Sequence, residues 1–189
     1  MAAEFAQNKA RIAAGDLTVA EAIDEYIRVK SEVLSPSTIR GYKKQRRNYY
    51  MSIEGLRIRT LTTPIIQEWI NRLSGKLSPK TVANIHGLLM AALAMFAPEI
   101  RLNPTLPRRI PSQLHTPSDT DVKALLAAID DKELYLAVLL AAFGPLRRGE
   151  ICALESTDIH GNYVTVSKSM VKAGNGDWIV QPRPKTDAS

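Results

Sequence analysis

From Thr18 onward, apolar and polar side chains recur with a helical period. Val19, Ala22, Ile23, Tyr26 and Ile27 fall on one stripe, and Thr18 with Glu21 three residues later forms the pattern of a capping box, so a helix is expected over about 18–31. Ser35-Pro36, Thr63-Pro64 and Ser78-Pro79 each set a hydroxyl that can cap a helix before a proline that can take its first position. Helices are therefore expected over about 36–50, 64–74 and 79–97. No part of this stretch carries a strand signal, so residues 18–100 read as a four-helix unit.

The pattern then changes. Five of the eleven prolines fall at 98, 104, 107, 111 and 117. Proline removes amide donors and disfavours a helical residue before it, so residues 101–117 are expected to be an extended linker between two domains. Arg101, Arg108 and Arg109 make that linker basic, which suits either a solvated connector or one that crosses DNA phosphates. Beyond it, Ser118 with Asp121 should cap a helix reaching about Ile129, and Lys132 to Phe143 forms a nearly all-apolar helix expected to be buried. Gly144-Pro145 breaks that helix, and a short one should run from about Arg147 to Leu154. Tyr163 to Ser167 alternates and is β-branched, Lys172 to Asp177 is turn-rich, and Trp178 to Val180 is strand-like, so one hairpin is expected. Residues 118–189 thus read as a mixed α and β unit with a small antiparallel sheet, while 1–17 hold an opening helix from about Ala2 to Ala14.

Composition narrows the classes. With 189 residues, 45% of them hydrophobic, the chain is long enough for a packed core in one large or two small domains. Lys plus Arg total 25 against 19 Asp plus Glu, a formal charge of +6 that permits a polyanionic partner. The single cysteine, Cys152, excludes an internal disulfide and suits a reducing, cytoplasmic interior; set between Ile151 and Ala153, it is expected to be a buried thiol. His86, His115 and His160 lie far apart without ligand spacing, so neither a metal nor a cofactor is expected. No apolar run is long enough to cross a bilayer, and the N-terminus lacks a signal-peptide core.

Two sets of residues carry candidate chemistry. At 100° per residue from Pro36, the side chains of Arg40, Lys43, Lys44 and Arg47 share one sector, and Ile39, Tyr42, Tyr49 and Tyr50 cluster away from it. No acid occurs from Ser35 to Ser52, so this face suits a DNA groove and its phosphates better than a merely solvated surface. Lys80, Thr81 and Asn84 open a further helix with side chains that can reach a phosphate or base edges. The second set is Arg147 and Arg148, placed between two apolar segments. One reading is a surface helix with an ordinary Arg147–Glu150 pair; the other is a guanidinium fork facing a cleft, where it suits a phosphate. Adjacent helical residues diverge by about 100°, so Arg148 is expected on the surface.

Gly144-Pro-Leu-Arg-Arg-Gly-Glu-Ile-Cys-Ala-Leu154, followed by Asp158-Ile159, resembles the first conserved box of the tyrosine recombinase, or phage integrase, family, whose usual form is Thr-Gly-Leu-Arg-x-Gly-Glu. Gly144 and Pro145 depart from the Thr-Gly of that box. Ser35 to Tyr42 and Leu77 to Val82 are similar to the family's helical core-binding domain, Asn103-Pro104 to its exit, and Pro184 to Ser189 to the second box, Pro-Lys-Thr-x-x-Ser. The resemblance implies a mainly α chain: a SAM-like four-helix DNA-binding domain, then the first part of an α+β catalytic domain. It implies Arg147 as the first catalytic arginine, Glu150 as its acidic support and Lys185 as the catalytic lysine, with Lys172 the competing choice.

The implied activity is site-specific recombination for a phage or mobile element, by metal-free phosphoryl transfer. A tyrosine attacks a DNA phosphate, forms a 3′-phosphotyrosyl bond and releases a 5′-hydroxyl; arginines stabilise the non-bridging oxygens and the lysine protonates the leaving oxygen. The family's His-x-x-Arg box and late tyrosine have no counterpart among these residues. Tyr26, Tyr42, Tyr49, Tyr50, Tyr135 and Tyr163 all occupy other places, and His160 is followed by Gly-Asn-Tyr. The expectation is therefore a truncated recombinase that binds duplex attachment sites without cleaving them. It should be monomeric in solution, whereas the intact protein would act as a tetramer on two DNA sites. A non-catalytic DNA-binding accessory protein on the same scaffold is the other reading.

Overall fold

The computed structural model describes residues 16–109, 111, 114–144 and 146–182. It divides into two compact units, Met1–Pro111 and Ser112–Ser189. The expected opening helix and the Pro184–Ser189 segment lie outside the described residues.

The first unit contains α1 (Val19–Lys30), α2 (Pro36–Tyr49), α3 (Thr63–Ser74) and α4 (Pro79–Phe96), with a 3-10 turn at Ile58–Thr60. Their starts follow from side-chain chemistry. Thr18 Oγ1 accepts from the Glu21 amide at 3.2 Å while Glu21 Oε2 accepts from the Thr18 amide at 2.8 Å, which closes the capping box. Ser35 and Ser78 accept from the Thr38 and Thr81 amides, both at 3.3 Å. The third start differs from expectation: Thr63 is the first helical residue, and Thr62 caps it without a side-chain hydrogen bond. The Thr63 hydroxyl is engaged elsewhere, accepting from the Asn103 amide at 3.3 Å. Gln67 continues that contact, its side chain accepting from the Thr105 amide at 2.7 Å and donating to the Thr105 carbonyl at 3.1 Å. The first part of the proline-rich segment is therefore docked on α3, its missing helical hydrogen bonds replaced by side-chain partners.

One continuous core joins the four helices. It includes Ile23 and Ile27 of α1, Ile39 of α2, Ile66, Trp69 and Ile70 of α3, and Ile85, Leu88, Leu89 and Leu93 of α4. Tyr50, just past α2, is fully buried and donates its hydroxyl to the Ile85 carbonyl at 2.5 Å; its ring packs on Trp69 with centroids 5.3 Å apart. Trp69 Nε1 donates to the Tyr49 carbonyl at 3.0 Å. Entry to α1 is fixed by the Val19 amide on the Leu56 carbonyl and the Ile58 amide on the Leu17 carbonyl, at 2.9 and 2.8 Å.

The second unit contains α5 (Asp119–Ala127), α6 (Lys132–Phe143), α7 (Arg148–Ile151), a 3-10 turn at Ser156–Asp158, and strands β1 (Ile159–His160), β2 (Tyr163–Val164), β3 (Ser169–Lys172) and β4 (Trp178–Gln181). Three expectations are corrected here. The first is burial of α6: none of its residues is buried, and Leu134 and Phe143 are 53% and 74% exposed. Being apolar on all sides, α6 needs cover all round, and among the described elements α5 and α7 pack against only part of it. The second is the hairpin. Two antiparallel pairs form instead of one: β1 with β2, pairing Ile159 with Val164, and β3 with β4, pairing Lys172 with Trp178. Gly161, at φ 61°, makes the tight first turn and so diverts Tyr163-Val164 to the preceding strand. The third is Cys152, which is exposed. The single turn of α7 directs Glu150 and Ala153 inward, three residues apart, and the cysteine between them outward.

Replacing Tyr50 by Phe removes one buried hydrogen bond without changing the ring. The first unit should lose about 1 kcal/mol of stability in urea titrations, whereas unchanged stability would mean that the hydroxyl contributes nothing to joining α2 and α4.

Candidate functional site

The expected DNA-facing residues of the first unit lie on its surface. Arg40, Lys43, Lys44 and Arg47 are all exposed along α2, opposite the half-buried Tyr42 and Tyr49. Arg46 on the same helix is different: it faces back to Glu54 at 2.8 Å and Asp24 at 3.4 Å, acids supplied from outside the helix. Among the described residues, no carboxylate within 4.0 Å pairs with the other four cations. On α4, Lys80 and Asn84 are exposed, but Thr81 is half-buried and its hydroxyl shares a 2.9 Å hydrogen bond with Ser78. Thr81 is thus tied into the cap, which leaves Lys80 and Asn84 as the outward polar groups of that helix start. Arg108 and Arg109 are exposed.

In the second unit, Arg147 precedes α7 with an extended backbone, φ −82° and ψ 151°. Glu150 grips it at two points: Oε2 accepts from the Arg147 amide at 2.8 Å, and Oε1 pairs with Arg147 Nη1 at 2.9 Å. The carboxylate side chain is 3% exposed and the arginine side chain 52% exposed. A buried anion therefore grips a guanidinium whose side chain is about half exposed, and fixes its direction through two hydrogen bonds. The backbone hydrogen bond from Arg147, aided by its side chain, holds the Glu150 carboxyl below its usual range against the opposing effect of burial. Arg148 is exposed, as expected.

Gly149 has a role that spacing alone did not reveal. A Cβ there would sit 2.7 Å from Ser169 Oγ and 2.8 Å from the Met170 carbonyl oxygen, so only glycine lets α7 lie against β3. Lys168 was also missed. It bridges Glu155 at 2.9 Å and Asp158 at 3.1 Å, and its ammonium pKa is raised by those carboxylates. Asp158 in turn has a depressed pKa, from the Glu155 amide first and then Lys168. The signal was the Glu155-x-x-Asp158 spacing opposite a lysine, which becomes readable only once β1 and β2 fold back. Of the two lysines weighed for catalysis, Lys172 lies with Nζ 5.5 Å from the Trp178 ring centroid, and Lys185 lies outside the described residues.

The lowered Glu150 pKa has a defined consequence for stability. Because the folded-state value is depressed, ionised Glu150 stabilises the unit fully above its ordinary value of 4.5, and the effect is lost as pH falls through the folded-state value. Glu150→Gln should therefore cost about 1–2 kcal/mol at neutral pH, with the gap to the native chain closing in acid. A gap independent of pH in thermal unfolding would contradict this.

Residues 18–74 match the family model described as phage integrase, N-terminal SAM-like domain. No curated protein matches the chain at the sequence level. Among solved structures, the chain is similar to the Tn1549 transposon integrase (residues 82–397) in complex with circular intermediate DNA, at 20% identity and a TM-score of 0.65. The match covers 88% of this chain and 59% of that one, so the chain spans little more than half the length of the structure it resembles. At that identity the likeness is one of fold, and it extends over both units. Residues 18–74 thus match the SAM-like domain of phage integrases, and the fold of the chain is similar to that of a transposon integrase.

Proposed function

We propose that this chain is the DNA-binding part and the first catalytic segment of a site-specific recombinase. The face of α2 and the start of α4 meet duplex DNA, and Arg147 meets the phosphate to be broken. The observation that carries this reading is the contrast within α2: Arg46 is neutralised by Asp24 and Glu54, while Arg40, Lys43, Lys44 and Arg47 stand exposed without an acidic partner among the described residues. Self-repulsion along such a face is relieved by a polyanion, and each phosphate neutralised releases condensed counterions. Domain limits of 18–100 for the DNA-binding unit, 101–117 for the linker and 118–189 for the catalytic segment accord with this division of labour, with Arg108 and Arg109 contributing phosphate contacts as the linker crosses the duplex.

The chemistry proposed for the whole protein is transfer of a DNA phosphoryl group to a tyrosine. The tyrosine oxygen attacks phosphorus, a 3′-phosphotyrosyl bond forms, and the 5′-oxygen leaves and takes up a proton. Arg147, aimed by Glu150, stabilises charge on the non-bridging oxygens, and Lys185 supplies the proton. These 189 residues bind DNA as a monomer and do not cleave it; the whole protein acts on attachment sites of a phage or other mobile element as a tetramer, within the cytoplasm. No helix among the described residues is long and apolar enough to cross a membrane. Arg147, oriented by a buried carboxylate, favours this reading over a DNA-binding accessory protein, which has no need of an oriented arginine.

Replacing Lys43 and Arg47 by alanine should weaken binding to every duplex and reduce the slope of log affinity against log salt by about 2. An unchanged slope in fluorescence-anisotropy titrations would remove α2 from the interface. Incubation with nicked duplex DNA should leave no SDS-stable protein–DNA adduct, and the appearance of one would mean that a tyrosine within these residues is the nucleophile.

A further inference from the structure

The solvent side of α4 is unlike that of α2. Its inward positions are Val82, Ile85, Leu88, Leu89, Ala92 and Leu93, all buried. Its exposed positions are Lys80, Asn84, Gly87, Ala94 and Met95. Between Lys80 and Glu99 the sequence contains no Asp, Glu, Lys or Arg, so more than four turns of helix present no fully charged side chain to water. A surface helix ordinarily covers such a side with long charged residues.

Gly87 is the unexplained member. It sits in the middle of an 18-residue helix, where glycine is the poorest residue after proline, because it loses the most backbone freedom on folding. Nothing among the described residues requires it: a Cβ built there meets none of their heavy atoms within 4 Å, and its φ is not positive. Gly149 shows the contrast, since there the backbone of β3 occupies the space a side chain would need. Gly87 is exposed and lies seven residues, about two turns, beyond Lys80, and three residues beyond Asn84. All three therefore fall on one side of the helix.

Resting on the DNA-binding reading above, we propose that Gly87 is a positioning residue for DNA: it lets a strand of the sugar-phosphate backbone lie directly against α4, with Lys80 paired to a phosphate and Asn84 brought within reach of a base edge. The two helices then divide the work. α2 reaches the duplex with long cationic side chains, and α4 reaches it by bringing its own backbone close. The cost of glycine in the free helix is the condition for that approach.

The test separates stability from binding. Gly87→Ala should raise the thermal midpoint of the first unit by about 4 °C, because a better helix former enters open space. It should also weaken binding to a fluorescein-labelled mixed-sequence duplex by about three- to ten-fold, with the salt slope unchanged because no charge is removed. Gly87→Leu should lose more affinity while remaining folded. Undiminished binding by both variants, with the native chain binding normally, would overturn the role of Gly87 and leave the DNA-binding reading intact. Failure of the native chain to bind the duplex at low salt would overturn both. A change in self-association in sedimentation, with DNA binding unaffected, would assign this side of α4 to a second copy of the chain instead.

Discussion

The first unit depends on how the end of α2 is held. Ile39 is the one buried residue within that helix, which therefore has little apolar surface of its own to anchor it. The anchor lies at its C-terminal end. Trp69 of α3 donates to the Tyr49 carbonyl, Tyr50 donates to the Ile85 carbonyl of α4, and the Tyr50 and Trp69 rings pack on each other at a tilt. Burial pushes the Tyr50 hydroxyl well above the ordinary tyrosine range, so it remains a proton donor at any physiological pH. Arg46 adds a polar tether to the unit through Glu54 and Asp24. With one end pinned by two neighbours, the rest of α2 is free to carry four cations on its outer side.

The second unit works by a different constraint, close backbone approach around a buried carboxylate. Gly149 allows α7 to rest on β3, and that contact turns Glu150 inward, where it holds the Arg147 amide and guanidinium together. Lys168 clamps Glu155 and Asp158 just beyond the helix, and the Thr165 amide donates to the Asp158 carbonyl at 2.9 Å. These polar locks matter because the local core is slight: among the described residues, Ala153 is the one buried apolar side chain outside the first unit. The direction of Arg147 is thus set by hydrogen bonds more than by packing.

What could be read from the sequence follows the range of the interactions involved. Helix starts depend on residues three apart, so Thr18, Ser35, Ser78 and Ser118 were legible, and the outward sector of α2 followed from its period. Thr63 was misread as a cap because its hydroxyl serves Asn103, forty residues away. Burial of α6 and of Cys152 was inferred from apolar neighbours in sequence, but burial depends on what the rest of the unit supplies as cover. The first hairpin was missed although Gly161-Asn162 between Ile159 and Tyr163 carries a short-range turn signal; the stronger alternation of Tyr163 to Ser167 outweighed it. Arg147 and Glu150 were legible as a pair, whereas the inward burial of Glu150 and the need for Gly149 are tertiary facts.

The proposed DNA-binding face is the outer side of α2 together with the start of α4. Acetylation of lysines in the free chain and in the chain saturated with duplex DNA, read by mass spectrometry, tests it at the residues themselves. Lys43, Lys44 and Lys80 should be protected by DNA. If all three react as readily in the bound state as in the free chain, DNA binds elsewhere and the assignment of this face is wrong.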